Sequence, residues 1–103
     1  FNFYSNLIAE LKLMWKLVAG KKECSGSEIG FGWTPDIETC ARRCQYKSSM
    51  FAYGTNDYDK WIKRCNENGC KCICETAANP DGTCDLKQHD GYRLFKYEKG
   101  KSC

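Results

Sequence analysis

The sequence predicts an α+β fold, a small disulfide-rich antiparallel sheet packed on one short helix. Three observations carry that expectation. Nine of the 103 residues are Cys, about 9%, a density at which disulfides supplement an apolar core too small to hold the fold alone. Several short segments alternate apolar and polar side chains at period two, as half-buried strands do. Only the segment at Thr34-Pro35-Asp36 opens like a helix, with a hydroxyl N-cap, proline at the first helical position and a carboxylate against the dipole. The length is that of one domain and excludes a two-domain enzyme.

All nine Cys fall from Cys24 onward, which divides the chain into an apolar arm, residues 1–10, and a stapled domain, residues 11–103. Phe1, Phe3 and Tyr4 are costly to leave in water, so the arm is expected to pack, at a subunit interface for instance. A helix from Asn6 to Val18 would gather Leu7, Ile8, Leu11, Met14, Trp15 and Val18 on one arc, with Glu10 intruding. The strand reading is cleaner: Leu11, Leu13, Trp15 and Leu17 alternate with Lys12, Met14, Lys16 and Val18, and a strand is expected from about Leu11 to Val18.

In the helix, Ile37, Cys40, Ala41 and Cys44 recur at i, i+3, i+4 and i+7, turning both Cys to the core and Glu38, Arg42 and Arg43 to water. Ser49 to Tyr53 reads as a strand with Phe51 and Tyr53 on one face and Met50 and Ala52 on the other. In Lys71-Cys72-Ile73-Cys74-Glu75 the alternation sends both Cys to one side, where the helix Cys can meet them. Asn79-Pro80-Asp81-Gly82 has the residue order of a type I turn. Tyr92 to Tyr97 is the last strand. The expected order is strand, helix, strand, strand, strand.

Charge excludes one class of function. Sixteen Lys and Arg against thirteen Asp and Glu leave +3, without the clustered excess that a nucleic-acid binder needs. Glu10, Lys12 and Lys16 interrupt the apolar stretches, so no membrane-spanning segment is expected. No charged, apolar and small-residue regions stand in signal-peptide order, and Phe1 stands first; a mature chain with its signal removed, secreted and extracellular, is the expectation.

A Trp-bearing strand ending at a Cys, a helix with Cys40-x3-Cys44, the strand Ser48-Ser49-Met50-Phe51-Ala52-Tyr53-Gly54, a Cys-bearing strand and a closing Gly91-Tyr92-x-Leu94-Phe95 strand together resemble the PAN/apple module over roughly Lys12 to Cys103. The resemblance implies links from Cys40 to Cys72 or Cys74 and from Cys24 to Cys103. It departs from the family where Ser48 and Ser49 stand in place of a common Cys, so Cys44 must find its partner in the dense cluster Cys65, Cys70, Cys72, Cys74, Cys84. With nine Cys one is left over, and Cys84 is the candidate, offering a free thiol or a bridge between copies. Modules of this family bind proteins or carbohydrates and are not enzymes in themselves; some free-standing members are galactose-type lectins.

Sugar recognition needs an aromatic face for the apolar side of a pyranose and polar groups for its hydroxyls. Two loops supply them: Asn56, Asp57, Tyr58, Asp59, Lys60 and Trp61 in the first, His89, Asp90 and Tyr92 in the second. Trp61 could equally fold back as packing, and His89-Asp90-Gly91 also has the make-up of a plain turn. The Cys cluster lacks zinc-type spacing, Asp57 and Asp59 lack the rest of a calcium loop, and no metal or cofactor is expected. His89 is the single His and no Ser sits in a nucleophile elbow, so no enzyme is expected.

The resulting expectation is a secreted, calcium-independent, galactose-type lectin that binds glycans or glycoproteins as a homo-oligomer. The alternatives are a protein-binding adhesion module and a secreted membrane-active toxin using the segment Asn6 to Val18.

Overall fold

The computed structural model describes residues 13–57, 59–61, 65 and 69–98. Five strands, β1 (Met14–Cys24), β2 (Ile29–Thr34), β3 (Met50–Gly54), β4 (Cys70–Cys74) and β5 (Leu86–Glu98), and the short helix α1 (Ile37–Cys44) follow the order β1, β2, α1, β3, β4, β5; residues 59–61 and 65 are helical too. The strands form a single antiparallel sheet in the spatial order β1-β5-β3-β4-β2. The α+β class expected from the sequence is therefore the class observed. Residues 1–10, Leu11 and Lys12 lie outside the described residues.

β2 corrects the expected element order. Ile29-Gly-Phe-Gly-Trp-Thr carries two glycines, which weaken a strand pattern, yet the segment pairs with β4 from Ile29↔Cys74 to Thr34↔Cys70, with an irregularity between Gly30 and Gly32. Because Thr34 is thereby the last residue of β2, it cannot also cap the helix. Asp36 takes that role: its Oδ1 accepts the Thr39 N–H and the Thr39 hydroxyl, both at 2.7 Å. Pro35 stands before the cap rather than after it. β1 begins and ends later than expected, at Met14 and Cys24, and places residues 14–18 in the sheet rather than in a helix.

Both faces of the sheet are covered. On one, Phe51, Tyr53, Cys72, Cys74 and Phe95 meet Cys40, Ala41 and Cys44 of α1. Phe51 stacks on Phe95 at 5.2 Å and meets the edge of Trp15 at 6.2 Å. On the other, Met50, Ala52, Ile73, Tyr92 and Leu94 pack with Cys24 beneath Ala78 and Cys84 of the segment between β4 and β5. The two-faced reading of β3 is thus realised residue by residue. The turn at 79–82 closes with the Gly82 N–H donating to the Asn79 carbonyl at 3.0 Å.

Four disulfides link the framework: Cys24–Cys84, Cys40–Cys72, Cys44–Cys74 and Cys65–Cys70, with Cα separations of 4.8–5.6 Å. Cys40 takes one of its two expected partners and Cys44 finds its own in the cluster. The expected Cys24–Cys103 link is corrected. Cys24 ends β1 on the face covered by the 75–85 segment, and that segment brings Cys84 onto it. Cys84 is therefore paired, not left over. The ninth cysteine is Cys103, which lies outside the described residues.

Candidate functional site

The two loops singled out from the sequence meet. Between Gly20 and Lys22 of β1 the register against β5 jumps, from Gly20↔Arg93 to Lys22↔Gln88, so residues 89–92 bulge out of the ladder opposite Lys21. Lys21 itself adopts φ 58°, unusual for a residue with a side chain. The bulge lies against the end of β3: the Thr55 N–H donates to the Gly91 carbonyl at 3.0 Å. A Cβ on Gly91 would be driven into the Thr55 carbonyl oxygen, and one on Gly54 into the Gly91 carbonyl oxygen. These two glycines let the two backbones touch.

A cleft of about 250 Å³ opens at this junction, lined by Gly20, Lys21, Trp61, Asp90, Tyr92 and Arg93. Trp61 is half-buried; its indole N–H donates to the Tyr53 carbonyl at 3.3 Å. The Arg93 guanidinium carbon sits 3.5 Å from the centroid of its ring, a cation–π contact. Trp61 therefore folds back as packing and also lines the cleft. Tyr92 is buried, and burial first, then the carboxylates of Glu23, Glu28 and Glu75, push its phenol up to about 12. It stays a donor and reaches Asn56 Oδ1 at 3.4 Å.

The remaining expected residues divide. His89 stacks on Tyr92 with ring centroids 3.9 Å apart and 9° between planes, and its Nδ1 accepts the Gly91 N–H at 3.2 Å. It builds the bulge beside the cleft. Asp90 reaches the cleft and accepts from the Gln88 amide at 2.6 Å. Asp57 Oδ1 accepts the Asp59 N–H at 3.1 Å, and the Asp57 carbonyl accepts the Lys60 N–H, so Asp57 shapes the loop, and Asp57, Asp59 and Lys60 do not line the cleft. Tyr58 lies outside the described residues. Sequence reasoning missed Lys21, because a bulge that brings β1 to the loop leaves no periodic signal.

The chain matches no family model, no curated protein and no solved structure.

A larger hollow of about 540 Å³ lies at the other end of the β1–β5 pair, lined in part by Leu13, Gln45, Ser48, Tyr97 and Glu98. Its hydroxyl groups are already engaged: Tyr97 donates to the Ala41 carbonyl, Ser48 to the Met50 carbonyl and Ser49 to the Asn79 carbonyl. The sulfurs of Cys40, Cys44 and Cys72 lie close together, but all three are spent in disulfides and offer no thiolate to a metal. Among the described residues, no helix is long and apolar enough to cross a membrane.

Proposed function

We propose that the protein is a secreted, galactose-type lectin that takes its sugar in the cleft between the 55–61 loop and the bulge of β5. The observation that carries this reading is the convergence of Trp61, Tyr92, Arg93, Asp90 and Lys21 on one small cleft. An indole and a phenol supply apolar surface; the guanidinium, the ammonium and the carboxylate supply donors and an acceptor for vicinal hydroxyls. Its volume lies below the roughly 300–1,000 Å³ of drug-sized pockets and suits one sugar ring. The resemblance to the PAN/apple module and its lectin members adds to this reading. Four disulfides fit an oxidising compartment. The exposed Met14, Leu17 and Val18 on edge strand β1 support assembly into an oligomer, in which weak single sites act together.

The test is retention of the oxidised protein on immobilised galactose in EDTA and its elution by free galactose. Trp61→Ala should lose retention while its elution volume in gel filtration stays unchanged. A wild-type protein that flows through sinks the galactose reading, and a variant that is retained like wild type moves the site away from this cleft. A protein-binding module is the second reading, and edge strand β2, with Ile29 and Trp33 exposed, favours it.

A further inference from the structure

The β1–β2 turn brings three carboxylates together at the end of the sheet opposite the helix start. The register Ile29↔Cys74 sets Glu28 across from Glu75, and Glu23 lies one residue before Cys24, whose N–H donates to Glu75 Oε2 at 2.7 Å. One carboxylate oxygen from each of Glu23, Glu28 and Glu75 lies within 4.8 Å of the others. Like charges set opposite each other across a ladder are destabilising, and two of these three are buried.

Glu75 carries the argument beyond an acidic cluster. Its side chain is 0% exposed, and its second oxygen, Oε1, is buried without a hydrogen-bond partner among the described residues. A buried oxygen of that kind requires a partner. Desolvation first, then the charges of Glu28 and Glu23 and the close approach of the Glu28 side chain, push this carboxyl up to about 7 against the pull of the Cys24 amide; two carboxyl groups that close need a proton or a cation between them. Lys87, largely exposed, approaches Glu23 at 4.0 Å.

The three segments are also fixed in place. Cys24 is tied to Cys84, the Ala77 N–H donates to the Ser27 carbonyl at 3.0 Å, the Ser27 and Thr76 hydroxyls share a hydrogen bond at 3.0 Å, and the Glu75 N–H donates to the Met50 carbonyl at 3.1 Å. A set of oxygen-only donors selects a hard cation, and calcium–oxygen bonds of about 2.3–2.6 Å span such a triangle while the exposed side of Glu28 leaves room for water ligands. We propose that Glu23, Glu28 and Glu75 bind one calcium ion that clamps the β1–β2 turn onto the end of β4. None of the three lines the sugar cleft, although their charges reach the buried Tyr92 phenol at its edge.

Isothermal titration of calcium chloride into the EDTA-stripped, oxidised protein at pH 7.5 tests the proposal. One site per chain is expected, with a Kd of about 10⁻⁴–10⁻³ M, the range of extracellular calcium modules. The melting temperature should rise with calcium over the same concentration range. Glu28 is exposed, so Glu28→Gln should fold as wild type and bind at least tenfold more weakly. Wild-type protein that gives neither heat nor a melting shift overturns the proposal, as does a Glu28→Gln variant that binds calcium like wild type. Retention on galactose is read separately in EDTA, so each proposal can fail without the other.

Discussion

At the residue scale, Asp36 shows how one side chain decides where an element begins. Pro35 fixes its own φ and suits a first helical turn, which is why Thr34 looks like a cap in the sequence; pairing with Cys70 holds Thr34 in β2 instead. Asp36 then caps, and the hydrogen bonds from the Thr39 backbone and hydroxyl hold its carboxyl below the usual carboxylate range. Asp36→Ala should therefore cost about 1 kcal/mol at neutral pH in urea denaturation, and Asp36→Asn much less. Because the folded state holds this carboxyl below its unfolded pKa, the part of the stability due to ionisation is complete above about pH 4 and is lost as pH falls through the folded value. The gap between wild type and Asp36→Ala should narrow over that acidic window. A gap that is constant down to pH 2 would contradict the cap.

At the scale of elements, the bulge of β5 is the device that makes a cleft out of two loops. Gly91 sits under the Thr55 carbonyl oxygen with no space for a methyl group. Gly91→Ala should therefore destabilise the fold by roughly 1–3 kcal/mol and weaken galactose retention, read by urea denaturation and by the column. A variant with unchanged stability would mean that the close approach is not needed. Much of the element list was legible because it rests on local patterns: the Cys alternation of β4, the two faces of β3, the i, i+3, i+4 arc of α1 and the turn at 79–82. β2 was not, since Gly30 and Gly32 weaken its pattern and its strand state depends on pairing with β4. The first half of β5 was hidden for a related reason: His89-Asp90-Gly91 has turn composition, and here that turn is a bulge within a strand pair. Of the candidate site, the residue types could be read from the loops, but the meeting of Trp61 with Lys21 and Arg93 is a product of register and could not.

At the scale of the whole molecule, sulfur does the work that bulk apolar side chains do in larger domains. Cys40, Cys44, Cys70, Cys72 and Cys74 are all fully buried in the cluster beneath α1. In the chain-entropy account, each of the three long crosslinks, taken singly, contributes about 4 kcal/mol, a large share of the 5–15 kcal/mol that typically holds a domain. Full reduction should accordingly abolish the cooperative thermal transition seen by circular dichroism. Alkylation of the oxidised, denatured chain should label Cys103 and no other cysteine, unless Cys103 bridges two copies, and label on any of the other eight would contradict the framework. The crosslinks also have an unequal reach. Three of them interlock between Cys24 and Cys84, whereas β1 before Cys24 is an edge strand held to β5 by their ladder and by the Lys22–Gln88 and Lys87–Glu23 contacts, with Met14 opposite Glu98 at its open end, while β5 stays paired with β3 on its other side. Tension applied at those two ends would open that ladder one hydrogen bond at a time, as a zipper opens, and would stop at the Cys24–Cys84 bond. The molecule is thus built to yield a limited length of chain under load while the helix, the central strands and their sulfur knot stay folded.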